Sequence, residues 1–413
     1  MMRKLTPFFI CFFGSLFYVY DYFLAVSPSV MTQDLLTTFS LDAAGLGMLI
    51  AVFSLASTFF QIPAGALLDR YGARILLSVS VLLSGIGVLF FATATASWML
   101  GFGRLLMGIG SPFAFLGALF LATRWFSHKR FALIAGLVQL GGALGCIVGG
   151  GPLASLINHM GWREGLLTIA WVTIILSVFF WLILRDGEKT LTDIPEVDNA
   201  RLRDTFKVSQ VWWIAAIGFV SWVTVTGIAS LWGVPYLMKV YHWTNEQAGY
   251  CTVLFWLGLG LGSVVIGWFS DYIKSRKMPI YLCFGVGLIA SLFFIGAEHV
   301  PAFVMMSLLF LLGFAASVQS LTFGIAKDII PPNHFIAASG LINLAAVFTG
   351  VIMQPLMGYL MDIHAHAHEG EVVVYQISDY QMGFSAVSVV LLLGLIVTYF
   401  GLKETRCKVA YLN

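Results

Sequence analysis

Two charged residues lie inside long apolar stretches of this 413-residue sequence, and both could do chemistry there. Asp21 interrupts FYVYDYFLAVSP, and Arg104 interrupts GRLLMGIGSP. A carboxylate among apolar groups favours its neutral form, so it can take up and release a proton. A nearby guanidinium favours the ionised form and can also hold an anion. Asp21 and Arg104 are therefore candidates for a proton carrier and its counter-ion. A fixed structural ion pair between helices is the alternative.

The composition indicates what surrounds these charges. Hydrophobic side chains make up 59% of the chain and charged ones 10%, and the mean hydropathy is +0.92. Such a chain belongs to the membrane class, in which a spanning helix needs about 20 apolar residues. The sequence contains twelve such runs, at residues 7–27, 43–67, 75–94, 97–123, 130–155, 164–184, 211–238, 248–269, 278–297, 301–326, 336–361 and 380–402.

A charged segment, RDGEKTLTDIPEVDNARLRDTFKVSQ, separates the first six runs from the last six. It predicts an N-terminal six-helix half at residues 1–184, a cytoplasmic linker at 185–210, a C-terminal half at 211–402 and a cytoplasmic tail at 403–413. The first run lacks a cleavage site and predicts a retained helix. The five cysteines show no paired spacing, so we expect no disulfide and no metal knuckle.

Basic residues predict the orientation, because Lys and Arg accumulate in short cytoplasmic loops. With the N-terminus inside, only Arg163 and Lys239 lie outside and Arg104 lies within a run, so 22 − 3 = 19 basic residues lie inside. We therefore expect both termini in the cytoplasm and a multi-pass protein of the cytoplasmic (inner) membrane. The net charge of +2 reflects this topology and predicts no nucleic-acid partner.

Helix rise predicts how deep the two charges lie. At 1.5 Å per residue, Asp21 lies about 21 Å along its run from the inside, and Arg104 lies about 10 Å below the outer face. In a hydrocarbon core about 30 Å thick, these depths bring the two residues to nearly one level, where they could pair.

An internal repeat relates the two halves. GALLDRYGAR follows the second run and GWFSDYIKSR follows the eighth, so that Gly65, Asp69 and Arg74 align with Gly267, Asp271 and Arg276. The pattern G-x-x-x-D-R-x-G-x-R, matched by Gly65, Asp69, Arg70, Gly72 and Arg74, resembles the signature loop of the major facilitator superfamily. Arg104, Gly108 and Gly110 resemble its fourth-helix pattern. YDYFLAVSPSVM and LWGVPYLMKVYHWT look like bacterial anion:cation symporter-type members.

The resemblance implies an all-α membrane protein with twelve transmembrane helices in two six-helix halves. It also implies that helices 1, 4, 7 and 10 line a central cavity, which would bring Asp21 and Arg104 to face it. Relatives of this type often carry an Arg near the end of helix 1. Ala25 occupies the corresponding position here, which argues against a purely anionic substrate.

Further polar residues at membrane depth are candidate substrate contacts. Tyr18 lies three residues before Asp21 and Tyr22 directly follows it, and Gln139 and Asn343 lie near the middle of their runs. The set is completed, together with Arg104, by Ser221, Trp222, Thr224, Trp232 and Gln319. Hydrogen bonds between helices are the alternative role for each of them.

The repeated loops are candidate gates. Charge-assisted bonds in these loops would tie neighbouring helices together and favour one conformational state of the transporter. The loop residues proposed for this role are Gly65, Asp69, Arg70, Gly72, Arg74, Gly267, Asp271 and Arg276. The alternative is that these charges only stop the helices from sliding into lipid. The loop DIHAHAHEGE could present His364, His366 and His368 to a metal, but a solvated loop is the interpretation we favour, so no metal site is predicted.

These features predict a secondary transporter that works by alternating access, without enzymatic activity or a cofactor, and acts as a monomer. The activity we favour is proton-coupled symport of a small polar solute such as an organic anion, amino acid or short peptide. The alternative is proton-driven antiport that exports drug-like or siderophore-like molecules. Superfamily antiporters often show G-x-x-x-G-P in helix 5, whereas Ile147 occupies the first glycine position here, which favours uptake. The sequence has no nucleotide-binding G-x-x-x-x-G-K-[ST] pattern.

Overall fold

The computed structural model describes residues 2–126, 128–187, 207–296, 300–365 and 374–408, and every regular element in these ranges is helical. The all-α class predicted from the apolar runs is therefore confirmed. Most of the predicted linker (188–206) and half of the tail (409–413) lie outside the described residues. All five cysteines are free, four of them buried and Cys407 half-buried.

Within the described residues, the first half of the chain contains seven α-helices. They are α1 Met2–Val26, α2 Thr32–Phe39, α3 Ala43–Ala92, α4 Ser97–Trp125, α5 His128–Gly149, α6 Gly151–Met160 and α7 Trp162–Ile183. A 3-10 turn, Ser27–Val30, extends α1. Pro28 lies in this turn and lacks the backbone N–H that would continue the α-helix.

The second half contains nine α-helices and one π-helical segment within the described residues. The α-helices are α8 Ser209–Ser221, α9 Gly233–Tyr241, α10 Asn245–Cys251, α11 Val253–Ile273, α12 Lys277–Ile295, α13 Ala302–Ala316, α14 Val318–Ile329, α15 Pro332–His364 and α16 Ile377–Phe400. The π-helical segment, Val225–Trp232, joins α8 to α9. Among the described residues, eleven continuous helical stretches are long and apolar enough to cross a membrane.

The second and third predicted runs correspond to the two helical parts of α3, which meet at the non-helical residue Gly72. The 50 residues of α3 would extend about 75 Å, more than twice the hydrocarbon thickness. The helix is kinked at Gly72, where φ is 78° and ψ is 162°. Only glycine adopts this region without strain, so Gly72 allows the chain to turn between two apolar segments.

Several spans are broken near their middle. The seventh run breaks after Ser221 into the π-helical segment, in which the Gly233 N–H donates to the Ile228 carbonyl five residues earlier. The tenth run breaks at Ser317, between α13 and α14. Irregular backbone at membrane depth is tolerated only where protein or a water-filled space satisfies its hydrogen bonds. We therefore expect these breaks to face protein or water instead of lipid.

The helices pack into two compact units. The N-terminal unit contains residues 1–34 and 49–194, and in it α1 packs on α4 and α5. The C-terminal unit contains residues 35–48 and 195–413, and in it α8 packs on α15, α11 on α13 and α12 on α16. Trp232, Tyr236 and Phe384 are among the largest fully buried side chains of the C-terminal unit.

Residues 35–48 belong to the C-terminal unit because a carboxylate holds the first turn of α3. Asp362, near the end of α15, accepts hydrogen bonds from the backbone N–H groups of Ala43 (3.0 Å) and Ala44 (2.8 Å). The Tyr375 hydroxyl donates to the same carboxylate and accepts from the Ala43 N–H. An anion at a helix N-terminus satisfies orphan donors and the helix dipole together. The charge pattern of the sequence gives no sign of this division.

Replacing Gly72 by Ala should destabilise the protein. A Cβ at this position would lie 2.6 Å from the Asp186 carboxylate, and the backbone conformation itself costs a non-glycine residue about 1–3 kcal/mol. We expect Gly72→Ala to lower the midpoint of thermal unfolding of the purified protein. Gly65→Ala is the matched control, because no heavy atom lies within 4 Å of a Cβ at Gly65. Equal unfolding midpoints for the two variants would contradict the prediction.

Candidate functional site

Asp21 lies in α1 and is a buried carboxylate in a span, with 7% of its surface exposed. The Ser111 hydroxyl of α4 donates a 3.0 Å hydrogen bond to Asp21 Oδ2. The Ser57 hydroxyl of α3 lies behind it, 3.4 Å from the Ser111 hydroxyl. The partner of the carboxylate is therefore a neutral group that two other helices position.

Arg104 is buried in α4, 2% exposed, and it binds backbone instead of Asp21. Its Nη1 donates to the Leu24 carbonyl at 2.9 Å and its Nε to the Ile50 carbonyl at 3.4 Å. Its guanidinium carbon lies 4.5 Å from the centre of the Phe53 ring. Pro28 has no N–H to offer the Leu24 carbonyl four residues earlier, and this carbonyl accepts instead from the Ser27 hydroxyl at 3.0 Å and from Arg104.

The structure shows no ion pair between Asp21 and Arg104, which the sequence indicated could pair. No N–O distance between them falls within 4.0 Å, the limit of an ion pair. Arg104 lies level with Leu24, whereas Asp21 lies level with Ser111, and Arg104 and Ser111 are about 10 Å apart along α4. The depth estimate placed both charges in the same part of the membrane but could not resolve this offset.

The aromatic residues near Asp21 form a second polar contact of the N-terminal unit. The Tyr18 hydroxyl donates to Gln139 Oε1 on α5 at 2.5 Å. Tyr18 is buried, whereas the Gln139 side chain is exposed and keeps its amide nitrogen for another partner. The Tyr22 ring packs edge-on against Tyr18, with centroids 4.8 Å apart. Tyr18, Tyr22 and Gln139 therefore lie together as predicted candidates.

The candidates of the C-terminal unit gather at the two helix breaks. The Ser221 hydroxyl, at the end of α8, donates to the Gly218 carbonyl at 2.7 Å and lies 2.9 Å from the side-chain amide of Gln319 on α14. Gln319 Nε2 is buried without a hydrogen-bond partner. Thr224 donates to the Leu312 carbonyl at 3.4 Å, so it has the helix-bridging role named as the alternative.

Two tryptophans and an asparagine complete the set of candidate contacts. Trp232 is fully buried, and its Nε1 has no partner. Trp222 and Asn343 are half-buried. A residue that sequence reasoning missed, Gln354 of α15, is also buried, and its Nε2 lies 3.5 Å from the Thr226 carbonyl in the π-helical segment. Sequence reasoning could have found Gln354 from its position as a polar residue within an apolar run.

The signature loop of the N-terminal unit is not organised by its own acid. Asp69 and Arg70 are exposed, and Arg70 lies over the Tyr71 ring. The carboxylate that binds the loop is Asp186, which accepts the Arg74 backbone N–H at 2.9 Å. Arg74 Nε donates to the Trp181 carbonyl at 2.9 Å. The predicted tie through Asp69 is therefore replaced by one through Asp186, which was assigned to the linker.

The equivalent loop of the C-terminal unit holds a charge network. Arg276 forms ion pairs with Asp328 of α14 at 2.7 Å and with Asp271 at 2.9 Å. Burial would lower the Arg276 pKa, but Asp328 and then Asp271 outweigh it, so the pKa is raised. Gly65 and Gly267, which align in the repeat, both lack close neighbours at Cβ.

Two short segments, each following the last helix of a half, close these loops. The first strap, Leu184–Gly187, brings Asp186 to Arg74, and its Arg185 carbonyl accepts from Trp125 Nε1 at 2.9 Å. The second strap, Gly401–Lys408, brings Glu404 to the start of α12. Both carboxylates cap the third long helical segment of their half. The repeat could have revealed them, since LRDG and LKET end the two apolar halves.

Glu404 is held in its ionised form. Partial burial favours the neutral carboxyl, but four hydrogen bonds outweigh it, so the pKa of Glu404 is lowered to about 2. The donors are the backbone N–H groups of Arg276 (2.8 Å), Lys277 (3.0 Å) and Arg406 (2.9 Å) and the Ser275 hydroxyl (2.7 Å). The strap is therefore docked by a charge-assisted helix cap.

The histidine loop is described only in part. His364 Nδ1 lies 2.7 Å from Asp379 Oδ1, and Asp379 also accepts the Gln376 N–H at the start of α16. His366 and His368 lie outside the described residues. Within the part of the chain that the structure describes, no cluster of three His, Cys, Asp or Glu side chains could hold a metal.

Two helical units with multiple spans, internally repeated loops and a charged residue buried in a span define a multi-pass membrane transporter. The profile of the Major Facilitator Superfamily matches residues 9–244 and 214–408, and the chain belongs to that family. The resemblance noted in the signature loop is thereby confirmed, and the chain is a secondary transporter of small molecules in a membrane.

Similar proteins include several transporters and also a membrane sensor protein, UhpC of Escherichia coli. The Bacillus subtilis transporter YybO is 23% identical over 94% of this chain and 92% of its own length. The hexuronate transporter of the same organism is 21% identical over 82% of this chain and 83% of its own length. The probable L-galactonate transporter of Escherichia coli is 26% identical over 63% of each chain.

Solved structures share the fold. A bacterial homologue of the human lysosomal transporter Spinster superposes with a TM-score of 0.77 at 18% identity, and covers 96% of this chain and 97% of its own. The nucleoside transporter NupG gives a TM-score of 0.72 at 13% identity, and covers 96% of this chain and 99% of its own. At these identities the likeness concerns the fold alone.

Removing the charge of Glu404 should release the second strap. We expect Glu404→Gln to increase tryptic cleavage after Lys403 and Arg406 several-fold at neutral pH, because the four donors lose their ionised acceptor. Since the Glu404 pKa is lowered, its contribution in the wild type is present above its usual pKa of about 4.5 and disappears as the pH falls towards 2.

Cleavage is measured by mass spectrometry of the released tail, with Glu246→Gln, in the first turn of α10, as the control. The acid-side change is followed by thermal unfolding of the wild type and Glu404→Gln between about pH 3 and pH 7, where only the wild type should lose stability through this group. A Glu404→Gln strap as resistant to trypsin as the wild-type strap would contradict the prediction.

Proposed function

We propose that the chain is a proton-coupled symporter that carries a small polar solute into the cytoplasm by alternating access. One observation carries the proposal. Asp21 is a buried carboxylate in a span whose hydrogen-bond partner is a neutral hydroxyl, not a cation. A charged Asp at the centre of a span costs about 2.5–3.5 kcal/mol, and such residues are usually functional.

The surroundings of Asp21 support a change of charge. An acid locked in an ion pair stays ionised, whereas Asp21 has the Arg104 charge near it but not bonded to it. Arg104 is tied to two carbonyls and stabilises the ionised form only from a distance. In this proposal Asp21 binds a proton on one side of the membrane and releases it on the other, with Arg104 as its remote counter-ion.

The solute would be recognised mainly by neutral groups. Gln139 offers a free amide nitrogen, and Gln319 has a buried nitrogen without a partner. With Arg104 bonded to carbonyls and Ala25 at the position where relatives often carry Arg, an anionic solute would need another anchor. Two relatives are named for sugar acids, so sugar acids belong in the trial set beside neutral sugars, amino acids and short peptides.

The architecture we propose has twelve crossings in two groups of six, with α3 counted as two crossings on either side of Gly72. Both termini lie in the cytoplasm and the protein acts as a monomer in the cytoplasmic (inner) membrane. The signature loops act as gates. The loop of the N-terminal half is tied by Asp186, and the loop of the C-terminal half is held by the Arg276 network. No cofactor takes part.

The solute is first sought by thermal stabilisation of the purified protein, because a ligand that binds only the folded state raises its apparent stability. The trial set contains D-glucose, D-glucuronate, D-galactonate, L-threonine, L-glutamine and dialanine. Stabilising compounds are then tested for uptake into liposomes with an acidic exterior. Uptake that is driven by the pH gradient and acidifies the lumen supports symport, whereas proton-driven movement of solute out of the vesicle would support the antiport alternative.

Asp21→Asn should uncouple transport from protons. A gradient of one pH unit supplies about 1.4 kcal/mol, which sustains about tenfold accumulation at one proton per solute. We expect Asp21→Asn to lose this accumulation while it still exchanges labelled for unlabelled solute across the membrane, because the solute contacts remain.

Asp42→Asn is the matched control, since Asp42 caps an exposed turn through Gly45 and lies outside the spans. It should accumulate solute like the wild type. Full pH-driven accumulation by Asp21→Asn would remove Asp21 as the carrier.

A further inference from the structure

Most hydroxyls in the spans of the N-terminal unit bond to their own helix. Each donates to a carbonyl three or four residues earlier, as in Ser15, Thr58, Ser78, Thr173 and Ser177. This arrangement is the usual one for Ser and Thr in membrane helices. Ser111 instead donates across to Asp21, and Ser57 donates to Ser111.

Helix packing makes this crossing possible. Arg104, Gly108 and Ser111 share one face of α4, at spacings of four and three residues. This face lies against α3, since Arg104 contacts the Ile50 carbonyl and Ser111 contacts Ser57. A Cβ on Gly108 would lie 2.8 Å from the Cβ of Ala56, so only glycine lets the two helices come this close.

The next residue in the sequence also favours this geometry. Pro112 follows Ser111 within α4, and it has no N–H to donate to the Gly108 carbonyl. The regular hydrogen-bond ladder is therefore interrupted at the turn that carries Ser111. The side chain is half-buried, and its hydroxyl lies 3.0 Å from Asp21 Oδ2.

We propose that Ser111 is a positioning residue that stabilises the ionised form of Asp21, and that Ser57 orients the Ser111 hydroxyl for this bond. The inference rests on the proposed role of Asp21 as proton carrier. A hydroxyl can donate only one hydrogen bond, so the Ser57 hydroxyl, by donating to the Ser111 oxygen, leaves the Ser111 proton for the carboxylate. The bond favours the ionised carboxylate over the neutral one.

Other titratable groups near Asp21 could also influence its protonation. Tyr18 and Tyr22 flank it on α1, Cys146 approaches from α5 and Arg104 from α4. The phenols and the thiol stay neutral near physiological pH, and Arg104 is fixed by its carbonyl contacts. Among these described groups, Ser111 is the one that holds a hydrogen bond to the carboxylate.

The test follows protonation directly and needs no solute. Infrared difference spectra of the protein in liposomes, recorded over about pH 5 to pH 10, contain the C=O stretch of each carboxyl that gains a proton. Subtracting the spectra of Asp21→Asn isolates Asp21. We expect Ser111→Ala to raise the pH at which half of the Asp21 carboxyls are protonated by about one unit, because a hydrogen bond to a charged group is lost.

Three further variants distinguish positioning from general disturbance. Ser111→Thr keeps a hydroxyl and should titrate like the wild type. Ser57→Ala should shift the midpoint in the same direction as Ser111→Ala but less. Ser78→Ala is the matched control, because this buried hydroxyl of α3 donates to its own helix, and it should leave the midpoint unchanged.

The proposal fails if Ser111→Ala titrates like the wild type, if Ser78→Ala shifts as far, or if no band depends on Asp21 in this range. Should Ser111→Ala not fold, Ser111→Cys has nearly the same size and a weaker donor, and it must shift the midpoint upwards. The outcome is independent of coupling: an Asp21 that titrates as expected in a protein without pH-driven uptake would overturn the proposed function and leave this inference standing.

Discussion

In a bilayer every backbone donor and acceptor must find its partner within the protein, and this constraint shapes the whole molecule. It makes every regular element of the described residues helical, and it makes every interruption of a helix a place that needs compensation. Carboxylates supply it at three helix starts: Asp362 at the beginning of α3, Asp186 beyond its Gly72 kink, and Glu404 at α12. Each of these acids binds backbone N–H groups from a distant part of the chain.

The same constraint explains the behaviour of Arg104. Pro28 deprives the Leu24 carbonyl of its helical donor, and the buried guanidinium bonds to this carbonyl together with the Ser27 hydroxyl. The positive charge is thereby fixed one to two turns away from Asp21, near enough to act through space and too far to pair. Asp21 is left with a hydroxyl partner, so it can gain a proton without breaking an ion pair. The hydrogen bond that is missing at Pro28 thus helps to keep Arg104 away from Asp21, which precedes this proline in the same span.

The two halves use one plan with different chemistry. In each, the loop after the second long helical segment is closed by a strap that follows the last helix, and a strap carboxylate caps the third segment. The C-terminal unit adds Asp328 on α14, which pairs with Arg276. At the offset of the repeat, Phe126 occupies the equivalent position of the first half. The C-terminal loop is therefore held by an ionic network, whereas the N-terminal loop is held by the Asp186 helix cap and by Arg74 over the Trp181 ring.

Much of the fold could be predicted from the sequence, because apolar length and period dictate where helices form in lipid. The runs correspond to the helices within a few residues, and the buried acid and base were recognised by their rarity. The short amphipathic helix Thr32–Phe39 and the breaks at Ser221 and Ser317 were missed, since no Gly or Pro pattern marks them. The two runs predicted on either side of the signature loop agree with the non-helical backbone at Gly72.

The sequence by itself determined which side chains are too costly to bury without a reason, because the transfer of a charge into hydrocarbon depends only on its type and depth. It could not determine their partners. Whether Arg104 meets Asp21 or a carbonyl depends on an axial offset of a few residues between antiparallel helices, and that offset is set by the contact of Gly108 with α3 and by Pro28. Only the tertiary structure decided that Ser111 binds Asp21, since hydrogen bonds need ångström-level positions that periodicity does not encode.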